Sequence, residues 1–71
     1  MSKKMQEYIY TEYLILGERF SPESEKMRRN QIEHQATKHE GFTVVETKVL
    51  YVDGFDMTTA YTIAIGTKET Q

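Results

Sequence analysis

The 71-residue sequence contains no cysteine and no tryptophan, and it has one proline. Without cysteine, neither a disulfide nor a thiolate metal site can form, and no oxidising compartment is implied. No stretch approaches the ~20 apolar residues of a membrane span, and the start lacks an apolar run of signal-peptide length. We therefore expect one small soluble, cytoplasmic domain over residues 1–71, without membrane contact and with flexible polar tails at 1–6 and 67–71.

The sequence also has no surplus of basic residues. It contains nine Lys and Arg and eleven Asp and Glu, which gives a net charge of −2. General nucleic-acid binders carry a basic patch, so this balance argues against that class. The alternative uses helix bases together with stacking tyrosines, namely Lys26, Arg28, Arg29 and Lys38 with Tyr8, Tyr10 and Tyr13. Glutamates at helical spacing from these bases neutralise several of them, which leaves nucleic-acid association as the weaker reading.

A helix is predicted from about Pro22 to about His39. Ser21 suits the N-cap, where its hydroxyl accepts an unpaired backbone N–H, and Pro22 suits the first helical position. Gly41 suits a left-handed C-cap because it has no Cβ to clash.

The surface of the predicted helix is unusually polar. Ile32 and Ala36 form one thin apolar row, and Met27 lies well away from it. The outward stripe with Met27 is the candidate contact for a protein partner, and it consists of Met27, Asn30, His34 and Lys38.

Two strand-like runs, Gly41–Val52 and Phe55–Ile65, flank an Asp53-Gly54 pair that favours a two-residue type I′ turn. That turn sets a register in which four facing pairs on one face are apolar on both sides. The pairs are Val52 with Phe55, Leu50 with Met57, Val44 with Ile63 and Phe42 with Ile65. A third run, from Glu7 to Phe20, is strand-like and apolar on both faces, with Gly17 near its end.

The hairpin presents more apolar surface than the helix can cover. One face holds nine apolar side chains, and the helix offers three at most. A bare apolar patch on a small domain usually marks an association surface. We therefore predict a homo-oligomer whose interface lies near the turn, at Leu50, Val52, Phe55 and Met57.

The order strand, helix, strand, strand predicts an α+β domain, with a three-stranded antiparallel sheet in order 1-3-2 and one helix on one face. This β-α-β-β order resembles that of the dodecins, small flavin-storing proteins that assemble into shells. Dodecins stack flavin on a tryptophan, and this chain has none, so the resemblance implies no flavin site or other cofactor here.

No set of residues for catalysis is evident, and we expect a protein that is not an enzyme. The two histidines, His34 and His39, are five residues apart and lie about 140° from each other on a helix, so they do not form a metal pair. The sequence favours a non-catalytic oligomeric binding or regulatory protein that acts through protein–protein contacts. Its composition also suits a phage- or mobile-element-encoded inhibitor of a host protein. A nucleic-acid-associated protein and a carrier of a small ligand between subunits remain alternatives.

Overall fold

The computed structural model describes residues 4–68, which form three strands and one helix. The elements are β1 (Met5–Ile15), α1 (Pro22–Glu40), β2 (Phe42–Asp53) and β3 (Met57–Lys68). Both strand pairs are antiparallel, the sheet order is β1-β3-β2, and α1 packs on one face. The predicted α+β fold is confirmed.

Helix α1 begins and ends as its capping residues predict. The Ser21 hydroxyl accepts the Ser24 backbone N–H at 3.1 Å, and Pro22 occupies the first turn. Gly41 ends the helix with φ 73° and ψ 24°, in the left-handed region, and its N–H donates to the Ala36 carbonyl. The helix is too polar to cross a membrane.

The core is small and lies between α1 and the middle of the sheet. Ile32 and Ala36, the predicted row, are the buried residues of the helix, and they pack against Phe42 and Ala64. Tyr8 and Val44 cover the margin of this cluster. The β3 residues on the helix side are small, with Ala60 and Ala64 fully buried, so a thin helical row can reach the strand backbone.

The hairpin register differs from the one that the Asp53-Gly54 turn predicts. Asp53 is paired with Thr58 inside the sheet, and Gly54 donates to the Met57 carbonyl at 2.8 Å, which leaves Phe55-Asp56 at the tip. Gly54 does not have positive φ, so the predicted type I′ turn is wrong. The Asp53 side chain contacts Arg19 and Thr58, and these tertiary contacts outweigh its preference for the turn.

A register shift between Val44 and Glu46 corrects a second prediction, that one face of β2 carries Phe42, Val44, Leu50 and Val52 together. The extra residue reverses the side on which the following side chains point. Phe42 and Val44 therefore lie on the helix side, while Leu50 and Val52 lie on the opposite side. The threonine- and alanine-rich face of β3 is the face that α1 covers.

The strands begin earlier and end later than the predicted tails allow. Met5 and Gln6 belong to β1, and Thr67 and Lys68 belong to β3. Lys4 precedes β1 and is exposed, and residues 1–3 and 69–71 of the predicted tails lie outside the described part of the chain.

Candidate functional site

The face of the sheet opposite α1 has no second layer within residues 4–68. Register and alternation place there the odd-numbered residues of β1 and β3 and the even-numbered residues of β2 beyond the bulge. Seven large apolar side chains on this open face are 40–75% exposed. They are Met5, Ile9, Tyr13, Ile15, Leu50, Val52 and Met57.

The open face is charged at one end and apolar at the other. Glu7 and Glu46 lie on either side of Ile65 in one cross-strand row, and Lys48 lies beside Ile63 in the next row. From there to the hairpin tip, the rows carry Leu50, Val52, Met57, tyrosines and threonines. The face therefore has a polar margin and an apolar field, as interaction surfaces usually have.

The four predicted interface residues are all exposed, and the structure places three of them on the open face. Leu50, Val52 and Met57 are 45%, 54% and 40% exposed, and Phe55 lies at the hairpin tip with 99% exposure. Sequence reasoning missed the contribution of β1, whose Tyr13 and Ile15 extend the same field. The alternation of β1 contained this signal, because its odd-numbered side chains are apolar at Ile9, Tyr13 and Ile15.

On the helix side, a groove of about 850 Å³ runs between α1 and β1. It exists because α1 packs mainly over β2 and β3 and leaves the near side of β1 open. Its lining combines aromatic and aliphatic groups with amides and one ion pair: Tyr8, Ile9, Tyr10, Glu12, Met27, Arg28, Asn30, Gln31, Ile32, His34, Gln35 and Thr62. Of the predicted helix contacts, Met27, Asn30 and His34 line the groove, whereas Lys38 is exposed outside it.

Charge in the groove is concentrated at one ion pair. Arg28 donates to both carboxylate oxygens of Glu12, at 2.6 and 3.0 Å, and its guanidinium lies 3.8 Å from the centre of the Phe20 ring. The hydrogen bond to Glu12 raises the pKa of Arg28 above its ordinary value. Thr62 lines the groove as well, and its buried hydroxyl has no hydrogen-bond partner among the described residues.

A polar network fastens the β1–α1 connection to the hairpin. The Tyr51 hydroxyl donates to Glu25 and accepts the Phe20 N–H at 3.3 Å. Burial, followed by the bond to Glu25, raises the pKa of Tyr51. These half-buried groups are held in mutual hydrogen bonds, which suits a structural clamp between segments.

Both histidines are exposed, on α1. Within residues 4–68, no three His, Asp or Glu side chains lie close enough together to hold a metal ion.

Comparison with protein-family models gave no match, and comparisons with curated proteins and with solved structures gave no significant match. Function is therefore argued from the geometry of the open face and the groove.

Proposed function

We propose that this protein is a non-catalytic binding or regulatory protein that works as a homo-oligomer, with the open sheet face packed against the same face of a second copy. The observation that carries this proposal is the bare field of seven apolar side chains on a sheet only three strands wide. The apolar face of a sheet is usually buried against another layer of structure.

The core of this domain is small. Only Ile32, Ala36, Phe42, Ala60, Ile63 and Ala64 are buried apolar residues within the described chain. Fully burying one large apolar side chain contributes about 1.5–3 kcal/mol, so covering even part of the open face adds substantially to so small a core. Small domains often rely on association for this reason.

A second copy fits the face because the face is complementary to itself. Glu46 and Lys48 are neighbours on one strand and face the same side. In a two-fold face-to-face arrangement with the axis along the strands, the two apolar fields meet, and Glu46 and Lys48 of both copies lie together at one end of the contact. Stacked sheets pack about 10 Å apart with strands roughly 30° from parallel, which such side chains can fill.

Light scattering on the wild type and on charged variants tests this association. We expect a stable oligomer at micromolar concentration, and Leu50→Glu and Met57→Glu should dissociate it because each introduces a carboxylate into the apolar field. Thr37→Glu, on the exposed side of α1, is the matched control and should keep the wild-type mass. A wild type that is monomeric at micromolar concentration would refute the proposal.

The regulatory contact with another protein is assigned to α1. The outward stripe of α1 is exposed and borders the groove, and it consists of Met27, Asn30, His34 and Lys38. Packing of the open sheet faces against each other would leave this stripe accessible to another protein. An affinity experiment from the native host, with wild type against a Met27→Asp/His34→Asp double variant, should recover a protein that only the wild type retains. Equal recovery by both would remove α1 from the contact.

The groove favours a second candidate function, carriage of a small molecule. Its volume lies within the usual range for ligand sites, and its aromatic and thioether walls suit an apolar ring. Native mass spectrometry of freshly purified protein should then show a bound mass that Met27→Asp loses. Protein that is free of ligand and gains no thermal stability from a panel of aromatic compounds would exclude this candidate.

A further inference from the structure

The two edges of the sheet are protected to different degrees. Edge strands expose backbone N–H and C=O groups, and proteins guard them with bulges, lysines or prolines. The β2 edge carries both the register shift at Val44–Glu46 and Lys48. The β1 edge pairs with β3 without any shift from Met5 to Ile15, and it contains no lysine and no proline. By this comparison, β1 is the edge prepared to accept another strand.

There is also room for a strand beside β1. Helix α1 leaves the near side of β1 open, and Tyr10, at the middle of the strand, is 58% exposed. Within residues 4–68, no strand lies on the outer side of β1. At the far end, Ile15 is already engaged by Glu18, whose N–H donates to the Ile15 carbonyl at 2.8 Å. The free part of the edge is therefore Met5–Leu14.

We propose that β1 pairs antiparallel with β1 of a second copy, around a two-fold axis that passes beside Tyr10. The product is a continuous six-stranded sheet with both helices on the same face. Directly opposed residues in a sheet point to the same side, so one residue of each chain must face its own copy at such an axis. Tyr10 is the central residue of β1, so pairing it with itself brings Gln6–Leu14 of both chains into register.

The facing pairs in this register are compatible. Tyr8 opposes Glu12, Ile9 opposes Thr11, and no carboxylate directly opposes another, which matters because like charges across a ladder are destabilising. The two Tyr10 side chains meet at the axis on the helix side, where the two α1–β1 grooves join into one. Tyrosine pairs of this kind stabilise neighbouring strands.

This edge contact is a surface separate from the open face, so it goes beyond the proposed function. The open face is the broad side of the sheet, whereas the edge contact runs along the outer backbone of β1. Tyr10 also points to the opposite side of the sheet from Leu50 and Met57. Packing two open faces together therefore does not bring the two Tyr10 residues into contact.

Single-cysteine crosslinking tests the register, because the natural chain has no cysteine. Opposed Cα atoms lie about 4.5–5.5 Å apart, within disulfide reach, so Tyr10→Cys should crosslink to its own copy on mild oxidation. Gln6→Cys is the control on the same side of the same strand, since its copies would be eight residues apart in register, or ~27 Å. We expect Tyr10→Cys to crosslink at least about tenfold faster, because pairing raises the effective thiol concentration.

Mixing Gln6→Cys with Leu14→Cys should give the crosslinked heterodimer, since the register makes these two positions opposed. Equal, slow crosslinking of folded Tyr10→Cys and Gln6→Cys would overturn the proposal. Tyr10→Cys combined with Leu50→Glu separates the two interfaces: crosslinking that persists supports edge pairing even if the open face does not associate. On the wild type, the β1 amides that do not bond β3 should be protected from hydrogen exchange at high protein concentration, and free exchange of these amides would overturn the proposal as well.

Discussion

Arg19 and Asp53 form a two-pronged ion pair, with both guanidinium–carboxylate distances at 3.1 Å, across 34 positions of the sequence. Arg19 follows the turn after β1, and Asp53 is the last residue of β2. The Asp53 carboxylate also accepts the Thr58 hydroxyl at 2.8 Å, and that hydroxyl accepts the Gly17 N–H at 2.7 Å. This chain of contacts holds the β1–α1 connection against the base of the hairpin.

Replacing Asp53 with asparagine should make the stability of the fold less dependent on pH in the acidic range. The hydrogen bonds from Arg19 and then Thr58 hold the pKa of Asp53 below its ordinary value of 3.8. A lowered folded-state pKa contributes stability above the unfolded-state value, and that contribution is lost as pH falls through the folded-state value. In urea titrations, the advantage of wild type over Asp53→Asn should therefore shrink below about pH 4. Asp56→Asn, at the exposed tip, is the control and should match wild type near pH 7.

Tyr51→Phe should lower stability by about 1–2 kcal/mol at neutral pH, because it removes the hydroxyl that bridges Glu25 and Phe20. The folded-state pKa of Tyr51 is raised above 10.0, mainly by burial. Its contribution is therefore fully present below pH 10 and is lost as pH rises through the folded-state value. Denaturation followed by circular dichroism should show the two proteins converging in strong alkali. A constant difference at every pH would contradict this assignment.

Thr58 and Thr62 are both buried on the helix side of β3, yet replacing each with valine should change the stability of the fold in opposite directions. Thr58→Val breaks the contacts to Gly17 and Asp53 and should destabilise the fold by about 1–3 kcal/mol. Thr62→Val removes a buried hydroxyl without a partner among the described residues and should stabilise it by about 1 kcal/mol. The midpoints of thermal unfolding measure both effects. Loss of stability in Thr62→Val would show that its hydroxyl is in use within the groove.

Gly66→Ala should destabilise the sheet severely. A Cβ at this buried position would collide with the Thr43 carbonyl oxygen and lie 2.9 Å from the Val44 Cα, both of them backbone atoms. Overpacking against rigid groups usually costs about 1–3 kcal/mol, and backbone cannot move aside as a side chain can. Gly54→Ala, next to the hairpin tip, is the control. Its new Cβ would lie 3.1 Å from a single backbone atom, the Met57 carbonyl oxygen, so we expect a smaller loss of stability. Comparable urea midpoints for the two variants would show that β2 relaxes away from Gly66.

Local chemistry was sufficient to predict the helix and the order of the elements. Ser21, Pro22 and Gly41 mark the ends of α1 through hydrogen bonding and backbone freedom, which act over a few residues. The Ile32–Ala36 row followed from helical spacing alone, and the strand order followed from the handedness of the crossover. Three of the four residues predicted near the turn are on the open face, because alternation places Leu50 and Val52 on one side. The observed register also pairs even-numbered residues of β2 with odd-numbered residues of β3, as the predicted register does, so Met57 lies on the same side.

Only the tertiary structure decided which face of the sheet α1 covers and where the hairpin turns. A period of two separates the faces but does not say which one is covered, and the apolar face is the one left open. A helix with one thin apolar row buries that row only if it comes close to the strands. The small side chains of Ala60 and Ala64 permit this approach, and bulky side chains would prevent it. The turn moved because Asp53 is engaged by Arg19, a residue distant in sequence. Contacts of that range leave no local pattern in the sequence, so the hairpin register had to come from the fold.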